Sequence, residues 1–108
     1  MAIRVKPGVV LSVILTPMLA VLVAADKVYG KRGLDAIITS TNEGKHKKNS
    51  FHYKDLAYDF RTHHVSTSQE RQKILQELRN ELGADYDCIL ENLNTPNEHI
   101  HIEQDIKQ

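Results

Sequence analysis

His52 and Asp59 stand seven residues apart in the stretch Ser50-Phe51-His52-Tyr53-Lys54-Asp55-Leu56-Ala57-Tyr58-Asp59. Near the end of the chain the run Glu98-His99-Ile100-His101 supplies more imidazole and another carboxylate. Together the two stretches offer imidazole ligands, a carboxylate ligand and a second carboxylate close by. That is the inventory of a catalytic zinc site, which needs three protein ligands, an open position for water and a base beside it.

Such residues are useful only if regular elements bring them together. Residues 56–61 read as a strand, with Leu56, Tyr58 and Phe60 on one side and Ala57 and Asp59 on the other. Residues 99–103 read as the last strand. There His99, His101 and Glu103 point one way and Ile100 and Ile102 the other, toward a core. Asp59 between aromatic neighbours is costly unless paired, and a bound cation would compensate it. The plainer alternative, Asp59 paired with Arg61 or a lysine and His52 capping a turn, loses ground once His101 and Glu98 are counted. His63 and His64, being adjacent, point apart and read as exposed loop residues.

The remaining elements are scaffold. Residues 2–15 read as extended or irregular, with a turn at Pro7-Gly8. A helix over about 17–29 follows, stopped at Gly30 and Gly33. Residues 36–39 form a short β-branched strand, and 41–49 a polar loop. Thr67 and Glu70 fit a capping box that opens a helix with the stripe Ile74, Leu75, Leu78 and Leu82, ended by Gly83. Its charged residues Arg71, Lys73, Glu77, Arg79 and Glu81 read as a solvated face. A further strand spans 86–91, with Ile89 and Leu90 facing the core, and a loop with Pro96 joins it to the last strand. The predicted fold is α+β, a small antiparallel sheet of the strands around Ile37, Tyr58, Ile89 and Ile100 with two packed helices and the metal on the sheet's other face.

The stretch 50–59 resembles the SxHxxGxAxD motif of the D-alanyl-D-alanine carboxypeptidase and Hedgehog-like zinc peptidases. Ser50, His52, Ala57 and Asp59 fall in register, and Asp55 replaces the family's glycine. Glu98-His99-Ile100-His101 resembles the family's second motif. The resemblance implies one zinc ion held by His52, Asp59 and His101. It also implies a carboxylate base that takes a proton from water and returns it to the leaving amine. Glu98, three residues before His101, is the first candidate for the base. Glu91 is the second, if the 92–97 loop is an insertion. His99 would polarise the scissile carbonyl or the developing oxyanion, Ser50 would hydrogen-bond within the motif or to substrate, and Glu103 would orient a ligand. In relatives a basic residue of the loop before the motif holds a substrate carboxylate. Lys45 and His46, with Lys47 and Lys48, are the candidates here. The implied substrates are the stem peptides of bacterial peptidoglycan, cleaved as a carboxypeptidase or endopeptidase by a compact phage or bacterial enzyme. The alternative is a zinc-stabilised module that binds wall peptide or a protein partner without cleaving it.

The 108 residues suit one domain, spanning 1–108. Fourteen basic and fourteen acidic residues leave no net field toward nucleic acid or membrane. A single cysteine, Cys88, excludes an intrachain disulfide and reads as a core residue. The apolar run over 9–25 imitates a secretory signal or a membrane span. Thr16-Pro17, an N-cap followed by a proline suited to the first helical turn, argues for a core helix instead. Cleavage after it would leave roughly 80 residues without their most apolar helix, which a small core could hardly spare.

Overall fold

The computed structural model describes residues 2–11, 16–41 and 57–104. The described elements run β1 (Ile3–Val5), α1 (Thr16–Gly30), β2 (Ala36–Thr41), β3 (Ala57–Arg61), α2 (Ser68–Leu82), β4 (Tyr86–Glu91) and β5 (His99–Gln104). The strands form one sheet in the order β1-β2-β3-β5-β4. Both helices contribute to one core with it. The architecture is therefore α+β, as the sequence predicts.

The sheet is mixed rather than purely antiparallel. β1, in the segment read from sequence as extended or irregular, pairs parallel to β2 in the register Ile3–Ala36, Arg4–Ile37 and Val5–Ile38. The other three pairings are antiparallel. β2 carries one extra residue, Thr39, between the pairs Ile38–Phe60 and Ser40–Asp59. This β-bulge re-aims the strand directly opposite Asp59.

Alternation along each strand separates the two faces. Ile38, Tyr58, Phe60, Ile100 and Ile102 are buried beneath the helices, together with Met18, Val21, Val28 and Tyr29 of α1 and Ile74 and Leu78 of α2. Cys88 belongs to this core, and burial pushes its thiol up to about 11, so it stays protonated at neutral pH. Of the two β4 residues expected in the core, only Leu90 packs against it. Ile89 is 44% exposed on the opposite face. Period 2 forces this outcome, because two adjacent strand residues cannot share a face. No described helix is long and apolar enough to cross a membrane.

α2 begins at the expected N-cap, with the Thr67 side chain accepting from the Glu70 N–H, while the Glu70 carboxylate takes Arg32. It ends at Gly83, whose φ of 80° a residue with a Cβ rarely adopts. Its charged side is not simply solvated. Arg32, just beyond α1, donates through Nε to Glu70 at 2.9 Å and through Nη2 to Glu77 at 2.6 Å, tying the two helices together. Arg71 donates to the Val65 carbonyl, and Arg79 to the Cys88 carbonyl on the outer edge of β4. His64, expected to be exposed, is half-buried, stacks on Tyr29 at a centroid distance of 5.6 Å and bonds the Asp35 carbonyl.

The Arg32 hydrogen bonds hold the Glu77 carboxyl down from 4.5 to about 2. A depressed carboxyl stabilises the fold above its unfolded value and loses that contribution as pH falls through the folded one. Glu77→Gln is expected to lower stability by about 1–2 kcal/mol at pH 7, less than a fully buried pair because the carboxylate is still partly exposed. In urea unfolding the gap to the parent chain should close as the pH drops from 4.5 toward 2.

Candidate metal centre

The face of the sheet turned away from the helices collects the charged groups. Asp59 projects from β3, His99, His101 and Glu103 from β5, and Asp87 and Glu91 from β4. Strand register sets their neighbours: Asp59 lies opposite His101, Arg61 opposite His99, and Glu91 opposite His99 on its other side. Residues from two distant stretches of sequence thus meet through ladder pairing alone.

Asp59 is the centre of the group. Its Oδ1 lies 2.6 Å from His101 Nδ1, and its Oδ2 3.7 Å from His99 Nε2. His101 Nε2 sits 3.0 Å from Glu103 Oε1. A ring nitrogen held by Glu103 leaves Nδ1 as the atom turned to Asp59, the arrangement by which an outer carboxylate orients an imidazole ligand. The Asp59 hydrogen bond and charge raise His101 to about 9, against the opposing effect of burial.

His99 is fixed from the other side. Its Nδ1 donates to the Asn97 carbonyl at 2.8 Å, so in the neutral ring Nε2 carries the lone pair. That nitrogen faces Glu91 Oε1 at 2.8 Å. Burial lowers the pKa of His99, but the Asn97 carbonyl, Asp59 and Glu91 outweigh it and leave the imidazole above its ordinary value. Ligand atoms of Asp59, Glu91 and His99 all lie within 4.8 Å of one another. Two carboxylates and an imidazole this close together form a group that could hold a cation, either a proton on the ring or a metal ion. The donor set, nitrogen and carboxylate oxygen, fits zinc.

The two candidates for the base have different surroundings. Glu98 is 4% exposed. Its Oε1 accepts from the Thr62 hydroxyl at 2.8 Å and its Oε2 from the Asn94 N–H at 2.8 Å, with Arg71 Nε at 3.4 Å. Burial pushes its carboxyl up, but these donors outweigh it and hold it below the usual carboxylate range. The carboxylate closes the β4–β5 loop, in which Asn92 and Asn94 take the left-handed backbone that asparagine tolerates. Glu91 is half-exposed and turned to His99, among the converging ligand atoms.

Asp59, His101, His99, Glu91 and Glu103 are thus brought to one face, and Glu98 to the loop beside it. Ser50, His52, Lys45 and His46 lie outside the described residues. Thr62, Asn94 and Asn97 were not foreseen from sequence. Their roles depend on where the loop closes, which no local pattern records. An open groove of about 610 Å³ runs beside the cluster, lined by Lys6, Thr39, Asp59, Arg61, Asn97 and His99 among others. Comparison with family models, with curated proteins and with solved structures gave no match.

With no metal added, the His101 imidazole is expected to titrate near 9, and in Asp59→Asn to return toward 6.5, as read from its ring proton shifts by NMR. The raised pKa stabilises the metal-free fold fully below about 6.5. That contribution is lost as pH rises through about 9. Metal must displace this proton, so zinc affinity should climb with pH over the same window.

Proposed function

We propose that the chain is a zinc-dependent peptidase that hydrolyses amide bonds in the stem peptides of bacterial peptidoglycan. The observation that carries this reading is the convergence of Asp59, His99 and Glu91 with His101 on the open face of the sheet. The resemblance of the 50–59 and 98–101 stretches to zinc peptidases supplies the substrate class.

His52, Asp59 and His101 would hold the ion, as the resemblance implies; that assignment leaves Glu91 and His99, whose ligand atoms group with Asp59, for the other roles. When bound, zinc supplies Lewis acidity and lowers the pKa of its water to about 7. The chain's own groups do the rest. Glu91 is the better base, because its carboxylate is half-exposed and stands among the ligand atoms. Glu98 already spends both oxygens on Thr62 and Asn94. Glu91 takes the proton of the attacking water at Oε1 and delivers it to the leaving amine. His99, held by the Asn97 carbonyl at Nδ1, presents Nε2 toward the same space. Protonated, it can donate to the oxygen on which charge develops. Glu103 steadies His101 from behind.

The test is hydrolysis of purified muropeptides by the zinc-loaded chain and by Glu91→Gln and Glu98→Gln. Loss of a base costs on the order of 10²–10⁴-fold in rate, so Glu91→Gln should fall by at least about 10² while keeping its zinc. Glu98→Gln should melt at a lower temperature yet retain activity within about tenfold while folded. Undiminished cleavage by Glu91→Gln would contradict that base. A zinc-loaded parent chain that cleaves nothing would favour the non-catalytic binding module.

A further inference from the structure

Asp59 faces two ways. Its Oδ1 is turned to His101, a proposed ligand of the catalytic ion, and its Oδ2 to His99. Strand register explains the division. His101 lies directly opposite Asp59 on β5, and His99 sits two residues before His101 on the same face. Glu91, opposite His99 on β4, comes in from the far side. Asp59, Glu91 and His99 thus form a group of donors of their own, with ligand atoms within 4.8 Å of one another, that needs neither His52 nor His101.

Three further features prepare this group for an ion. Asp59 Oδ2 and His99 Nε2 are 3.7 Å apart, near the roughly 3.4 Å that separates two ligand atoms held tetrahedrally at about 2.0–2.1 Å from zinc. Nδ1 of His99 donates to the Asn97 carbonyl at 2.8 Å, the outer contact that fixes tautomer and ring direction in a metal-ligating histidine. Asp59 and His99 also line the open groove, which gives an ion its path of entry. Glu91 Oε1, 2.8 Å from the same Nε2, stands slightly too close for an ion between them. Its side chain is 44% exposed and can turn outward by the roughly half ångström that a tetrahedral zinc needs.

We infer that Asp59, Glu91 and His99 form a second, weaker zinc site that shuts off the proposed peptidase when free zinc is in excess. Asp59 then bridges two ions, as in paired-metal sites whose ions stand about 3.5–4 Å apart. Two dications at that distance repel, so the second binds more weakly than the first. Its effect on the reaction follows from what it occupies. Glu91 loses the lone pair that accepts the proton of water, and His99 can no longer donate to the developing oxyanion. The inhibitory effect rests on the peptidase reading, whereas the binding of the second ion does not.

The test titrates the full-length chain with zinc chloride, counts bound ions by native mass spectrometry and follows muropeptide hydrolysis in parallel. The parent chain is expected to hold one zinc at one equivalent and to take a second only in excess, with cleavage falling as the second fills. Glu91→Gln and His99→Gln should keep the first ion and bind the second at least about tenfold more weakly, since losing a ligand costs no less than losing an outer partner of one. His99→Gln is slower from the outset, but its rate, relative to its own value at one equivalent, should no longer fall as zinc is added. No second zinc in excess, a second zinc bound equally well by both variants, or cleavage that is unchanged or faster with the second ion in place would overturn the inference. A parent chain that binds both ions as described yet cleaves nothing at one equivalent instead contradicts the peptidase reading and the inhibitory role with it, while the second zinc site stands on the ion counts.

Discussion

The structure turns on a carboxylate held in the middle of a sheet. Asp59 sits between Tyr58 and Phe60, both buried on the other face. Its side chain is only 21% exposed, so a lone charge so placed would be costly without a partner. His101, its ladder partner, meets one oxygen, and His99 stands near the other. The same contacts that make Asp59 tolerable suit it to the ligand role proposed for it, because imidazole can give up its proton and keep its place when a cation arrives. A sheet built this way has its site as part of its pairing, not as a loop added to it.

Everything else serves that pairing. Ile100 and Ile102 fix the phase of β5 by burying one face, so His99, His101 and Glu103 have no choice but the other. The bulge at Thr39 lies opposite Asp59, and both residues line the groove beside it. Glu98, closing the β4–β5 loop on Thr62 and Asn94, sets where Asn97 presents its carbonyl and hence how His99 is turned. The helices stay clear of the chemistry. They bury the far face and are locked to each other through Arg32, Glu70 and Glu77.

Much of this was legible in the sequence because it follows from period 2 and from capping chemistry. The alternation in 57–61 and 99–103 places Asp59 and His101 on one face, and Thr67 with Glu70 announces α2. What was not legible depends on partners far along the chain. β1 is three residues long and gains its identity only by lying parallel to β2. The phase of β4 was misjudged because Cys88-Ile89-Leu90 is apolar throughout and carries no alternation of its own. Glu98 looked like a free base because Thr62, Asn94 and Arg71, which hold it, lie 36, 4 and 27 positions away. Arg71 and Arg79 of α2 looked solvated because their acceptors are backbone carbonyls in the segments flanking the helix, which side-chain patterning does not record. The motif stretch that carries Ser50 and His52 lies outside the described residues, so the site's second half rests on sequence.

The central claim is that Asp59 is a metal ligand rather than half of a structural ion pair with His101. Zinc binding measured by native mass spectrometry on the purified chain and on Asp59→Asn tests it most directly. The account predicts one zinc per parent chain and none on a folded Asp59→Asn. No bound zinc on the parent chain, or equal zinc on both, would contradict it.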